Sequence, residues 1–128
     1  MQQHDYFYRE GIKAGANKSL INQTDWLVKH KYLPFKESSE LVNFIMSHVL
    51  PNESQESATK YFDYDEVFTM GKEKGEELAC FLATRFLANK GRLNKMAKEK
   101  QVEFLQIANS KLEKSKAYSM VYGIEGDR

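Results

Sequence analysis

Three histidines, one cysteine and eighteen carboxylates are the side chains of this chain that could hold a metal, attack a substrate or move a proton. His4, His30 and His48 are scattered, and none stands in an HxxxH or ExxH pairing that would place two ligands on one helical face. Zinc and di-iron chemistry are therefore not expected. Asp63, Asp65 and Glu66 do cluster, but they lack the glycine and distal glutamate of a calcium loop. A helix start, where carboxylates meet the positive end of the helix dipole, explains them better. Cys80 lies between Leu78–Ala79 and Phe81–Leu82, the setting of a buried, inert thiol, and as the sole cysteine it has no disulfide partner within the chain.

Glycine and lysine also meet in the run GIKAGANKS, residues 11 to 19. A phosphate-binding loop needs four residues between its glycines and a lysine directly after the second. Here three residues separate Gly11 from Gly15, and two separate Gly15 from Lys18, so nucleotide binding is not expected. No serine sits in a strand-to-helix elbow and no glycine-rich dinucleotide loop follows a strand. The expected molecule is noncatalytic and carries neither cofactor nor metal.

The elements that position these side chains read as helices, because apolar residues recur at three- and four-residue spacing through most of the length. The expected fold is all-α, a bundle of about five helices in a single domain spanning residues 1–128, long enough to bury a core without staples. Asp5 caps a first helix to about Ala16, with Asn17, Lys18 and Ser19 as its end, and a short second helix starts near Thr24 and stops before Pro34. Ser38 or Ser39 caps the next, which Pro51 closes. Residues 51 to 60 are almost devoid of apolar side chains and read as a connector.

Asp63 and Glu66 have capping-box spacing, so the central helix runs from about residue 64 to 89. Its segment LACFLATRFLA is apolar nearly all round, and Gly91 ends it in a left-handed cap. A last helix is expected from about Leu93 to Tyr122, broken at most once, with Lys100 and Lys111 on the azimuth of its apolar stripe. Their stems snorkel along the core edge, or the stripe faces a partner. Residues 61 to 70 and 117 to 124 also permit strands, which would append a small hairpin. Two glycine pairs, Gly11 with Gly15 and Gly71 with Gly75, predict a seam where the first helix crosses the central one closely. The competing reading is a ligand or partner lying over the glycines.

Charge is segregated along the chain. Residues 37 to 77 hold ten carboxylates against three lysines, and residues 78 to 122 hold nine Lys/Arg against three glutamates, within a net charge of +1. The first reading is a protein-binding adaptor, regulator or inhibitor that presents an acidic patch to a basic partner surface. Glu53, Glu56, Asp63, Asp65, Glu66, Glu73, Glu76 and Glu77 would form that patch, with Trp26, Tyr32, Phe35 or Tyr61 as exposed anchors. Inhibitors encoded by phages or plasmids are a class of this size and character. The alternative is a DNA- or RNA-binding regulator, dimeric, using Arg92, Lys95, Lys98 and Lys116. A homodimer in which acidic and basic segments of two copies meet is a third expectation.

No run of apolar residues approaches the ~20 that a membrane span needs, and no apolar signal region follows Met1, so no membrane partner and a cytoplasmic location are expected. Residues 104 to 120, FLQIANSKLEKSKAYSM, resemble the first helix of the flagellar master regulator D subunit in the placing of Ala108, Lys116 and Ala117. That likeness covers an eighth of the chain and carries no function across.

Overall fold

The computed structural model describes residues 3–49 and 62–123. These form five α-helices: α1 (Gln3–Lys29), α2 (Ser38–Val49), α3 (Tyr64–Asn89), α4 (Lys98–Ala108) and α5 (Lys114–Tyr122). Short 3-10 turns at Phe35–Glu37 and Leu93–Lys95 lead into α2 and toward α4. The chain is an all-α bundle, and no strand or hairpin occurs among the described residues. Residues 64 to 70 and 117 to 122, which permit alternation, are helical because Val67 and Ala117 are the buried positions that neighbouring helices demand.

α1 and α3 are the long members and they run parallel, since contacts advance together from His4–Tyr64 through Gly11–Gly71 to Gln23–Ala79. A parallel pair needs a returning element, and α2 supplies it. Its N-terminal end lies at the C-terminal end of α3, where Glu40 meets Lys90 at 2.7 Å and Phe44 packs on Phe86. α4 runs back along α1, with Phe104 against Trp26 near one end and Ala108 at Ser19 near the other. The core between them contains Ile12, Leu27, Leu41, Ile45, Leu82, Leu87 and Phe104.

Both ends of α3 follow local chemistry. Asp63 Oδ1 accepts from the Glu66 amide at 2.8 Å, and Glu66 Oε1 accepts from the Asp63 amide at 3.0 Å, closing the capping box. Beyond Asn89, Gly91 takes φ 71°, the left-handed cap the sequence predicts.

Two expected boundaries are corrected. α1 does not end at residues 17 to 19 but continues to Lys29, because Ser19 and Gln23 are interior residues with partners inside the bundle. Ser19 Oγ donates to the carbonyl of Ala108 at the end of α4, and Gln23 Nε2 donates to Ser19 Oγ and to the Ala79 carbonyl. The last helix is three pieces, the turn at residues 93 to 95, α4 and α5. Asn109 leaves helical geometry, and its Oδ1 accepts from the Lys111 amide at 3.1 Å, a local turn that competes with helix. Lys100 keeps its half-buried place in α4 by reaching Glu103 at 3.0 Å, while Lys111 falls in the linker. The break also removes the single helix on which the resemblance at residues 104 to 120 depends. The expected connector at residues 51 to 60 lies outside the described residues.

Candidate functional site: an acidic aromatic depression at the start of α3

The beginnings of α1 and α3 are locked together by rings. His4 Nε2 donates to the Phe62 carbonyl at 3.0 Å, the His4 ring meets Tyr64 edge-on at 4.9 Å, and Phe7 stacks on Tyr64 at 4.8 Å. Part of this cluster remains in solvent, with Tyr6 47%, Phe62 42% and Tyr64 43% exposed. Phe62, just before α3, and Asp65, Glu66, Thr69, Met70 and Glu73 on its first turns line a shallow depression of about 400 Å³. Its floor is apolar and three of its six residues are carboxylates. A lysine or arginine fits such a place, with its stem over Phe62 and Met70 and its charge among Asp65, Glu66 and Glu73.

Of the eight acidic residues singled out in the sequence, the depression gathers Asp65, Glu66 and Glu73, and Asp63 stands beside it as the cap of α3. Glu73 also faces Lys111 at 3.9 Å. Glu77 lies a turn further along, 3.8 Å from Lys74. Glu76 is withdrawn from the surface altogether. It is 4% exposed and accepts from the Ser110 amide at 2.9 Å, the Ser110 hydroxyl at 2.8 Å and Lys18 at 3.4 Å. Burial pushes this carboxyl up, but the bonds from Ser110 and Lys18 outweigh burial and hold it below its ordinary value. Glu76 therefore ties the α4–α5 linker to α1 and α3 and presents nothing to a partner. Glu53 and Glu56 lie outside the described residues.

The expected aromatic anchors are also sorted. Phe35 is 80% exposed. Trp26 is buried instead, stacked on Tyr32 and donating from Nε1 to Glu103 at 3.0 Å, and Tyr32 is half-buried with it. Tyr61 lies outside the described residues. The ring among the carboxylates, Phe62, is not one of the anchors expected from the sequence, and Tyr64, one residue before Asp65, turns to His4 and Phe7 of α1.

The basic residues do not make one face. Arg92 is bound to both carboxylate oxygens of Glu37, at 2.8 and 3.0 Å, and clamps the start of α2. Lys95 and Lys98 are exposed on the turn before α4 and on its first residue. Lys116, on α5, lines a cleft of about 630 Å³ with Leu78, Phe81, Leu112 and Met120, whereas Lys98 lines a second cleft on the other side of Met120.

Cys80 is buried beneath the larger cleft, and burial with the nearby Glu77 charge pushes its thiol up to about 12. His4, His30 and His48 belong to separate neighbourhoods, and no group of three His, Cys, Asp or Glu side chains among the described residues could hold a metal ion. No helix of the described residues is long and apolar enough to cross a membrane. Neither a family model, nor a curated protein, nor a solved structure matches this chain.

Proposed function

We propose that the protein is a noncatalytic binding module, a small regulator or inhibitor, that engages a basic protein surface through the depression at the start of α3. The observation that carries this reading is an exposed ring among carboxylates on a rigid footing: Phe62 lines the depression with Asp65, Glu66 and Glu73, and its backbone is fastened by His4, which packs with Phe7 on Tyr64. Rings supply desolvation energy at little entropic cost, and carboxylates orient and accelerate the encounter. Acidic residues alone would be a solvated face.

The nucleic-acid reading has less support, because Arg92 and Lys100 are held by Glu37 and Glu103, and Lys98 and Lys116 line different clefts. Fluorescence anisotropy with a labelled Lys/Arg-rich amphipathic peptide and with labelled single- and double-stranded DNA compares the two. This reading expects the peptide to bind, to release with rising salt, and to be lost to Asp65→Lys and Phe62→Ser. DNA binding that disappears on neutralising Lys95, Lys98 and Lys116 would replace it with the alternative.

A further inference from the structure

Among the described residues, α1 covers one side of α3, α2 and α4 pack across others, and one stripe of α3 is left open. Lys74, Glu77, Phe81, Arg85 and Ala88 succeed one another at intervals of three and four residues, and all are exposed. Phe81, at the centre, leaves 57% of its surface in water. Beside it the larger cleft offers further apolar surface from Leu78, Leu112 and Met120, the last 56% exposed. A large exposed ring at the middle of the central helix, next to a cleft whose apolar wall is ringed by Lys74, Glu77, Lys111, Glu113 and Lys116, is surface that a partner would bury.

We propose that this stripe is the interface of a two-fold dimer in which α3 packs antiparallel on α3 of a second copy, with Phe81 at the axis. The charges flanking Phe81 select that occupant. Glu77 precedes it by four residues and Arg85 follows it by four, so each stands about 6 Å along the helix from the ring. Reversing one copy about Phe81 brings Glu77 of each level with Arg85 of the other, and symmetry makes the pair twice. Lys74 then meets the level of Ala88, and Leu78 that of Thr84, with no like charges opposed. A parallel pairing in register would set Glu77 on Glu77 and Arg85 on Arg85. Each Phe81 covers the other copy's Leu78, Leu112 and Met120.

Within one copy neither charge is strongly committed. Glu77 reaches Lys74 only at 3.8 Å, and the Arg85 guanidinium rests 5.8 Å from the centre of the Phe81 ring. Glu77 and Arg85 are separated by eight residues, about 12 Å, so they do not pair with each other in a single chain. The dimer does not use the depression at the start of α3, and each reading stands without the other.

Sedimentation equilibrium of the full chain, from micromolar to millimolar, tests the proposal. The expected result is a mass rising from 14.9 kDa toward twice that value. Phe81→Ser keeps the melting temperature, because the ring is exposed in the single chain, and stays monomeric. Glu77→Arg and Arg85→Glu each weaken association about tenfold or more. Combining both changes in one chain restores it, as does mixing the two single-swap chains. A wild-type chain that remains at 14.9 kDa throughout overturns the proposal. So does a dimer indifferent to Phe81→Ser, or one weakened by the single swaps and rescued by neither combination.

Discussion

Gly11 of α1 and Gly71 of α3 face each other so closely that a Cβ on either would lie 3.0 Å from the Cα of the other. The next contact repeats the relationship, since a Cβ on Gly75 would stand 2.8 Å from the Ala16 amide nitrogen and one on Gly15 would stand 2.9 Å from the Lys72 Cα. The obstacles are backbone, which cannot rotate away. Interior helical glycines each cost about 1 kcal/mol relative to alanine, and here they let two long parallel helices meet backbone to backbone.

Gly71→Ala and Gly75→Leu are therefore expected to lower stability by about 2–4 kcal/mol, read as a fall in the urea midpoint. Gly91→Ala is the control. A Cβ there meets nothing within 4 Å among the described residues, and the φ of 71° is unfavourable, so its cost is about 1 kcal/mol. Equal effects at Gly71 and Gly91 would remove the seam as the reason for the glycines.

Glu76 makes stability depend on pH. Its folded carboxyl titrates below the ordinary value, so the unfolded chain binds the proton more tightly. The stabilisation is full above the unfolded value and is lost as pH falls through the folded one, a window from about pH 5 downward. Glu76→Gln should flatten that slope and lower stability at pH 7. Urea titrations of both chains at pH 7, 5 and 3 measure it, and parallel pH dependences would contradict the assignment.

Trp26 is the only tryptophan, and it is buried between Tyr32, His30 and Phe104. Its emission should shift red in one step with global unfolding. Trp26→Phe removes the bond to Glu103 and should cost about 1 kcal/mol beyond repacking. The same bond, helped by Lys100, holds the Glu103 carboxyl below its ordinary value. NMR titration of Glu103 in Trp26→Phe should show its midpoint moving back up.

Cys80 should resist thiol reagents in the folded protein. With its thiol pushed up from 9.0 to about 12, the thiolate at pH 8 is roughly a thousandfold scarcer than for a free cysteine. Labelling with a disulfide reagent is expected to follow unfolding by denaturant and to be negligible without it. Rapid labelling of the native chain would place Cys80 at the surface.

α3 was legible from end to end because its signals are local: a capping pair three residues apart, an apolar run and a terminal glycine. The seam was legible too, since glycine at four-residue spacing in two helices has few other uses. α1 was misread because, between Ile12 and Trp26, its inward face is mostly Gly15, Ala16, Ser19 and Gln23 with Leu20, residues suited to close approach and internal hydrogen bonds that hydropathy does not register. The acidic site was half legible. Charge density along the chain picked out Asp65, Glu66 and Glu73, but linear density cannot tell which side of a helix turns inward, and Glu76 turns in toward Ser110 while its neighbours stay out.

The measurement that bears most directly on the function is chemical-shift mapping of the isotope-labelled chain titrated with the Lys/Arg-rich amphipathic peptide. Binding as proposed shifts the amides of residues 62 to 73 and of Lys111, which faces Glu73, with the Phe62 ring among the largest changes, and leaves residues 93 to 108 and 114 to 123 in place. Shifts confined to residues 93 to 123, or none at low salt, would contradict it.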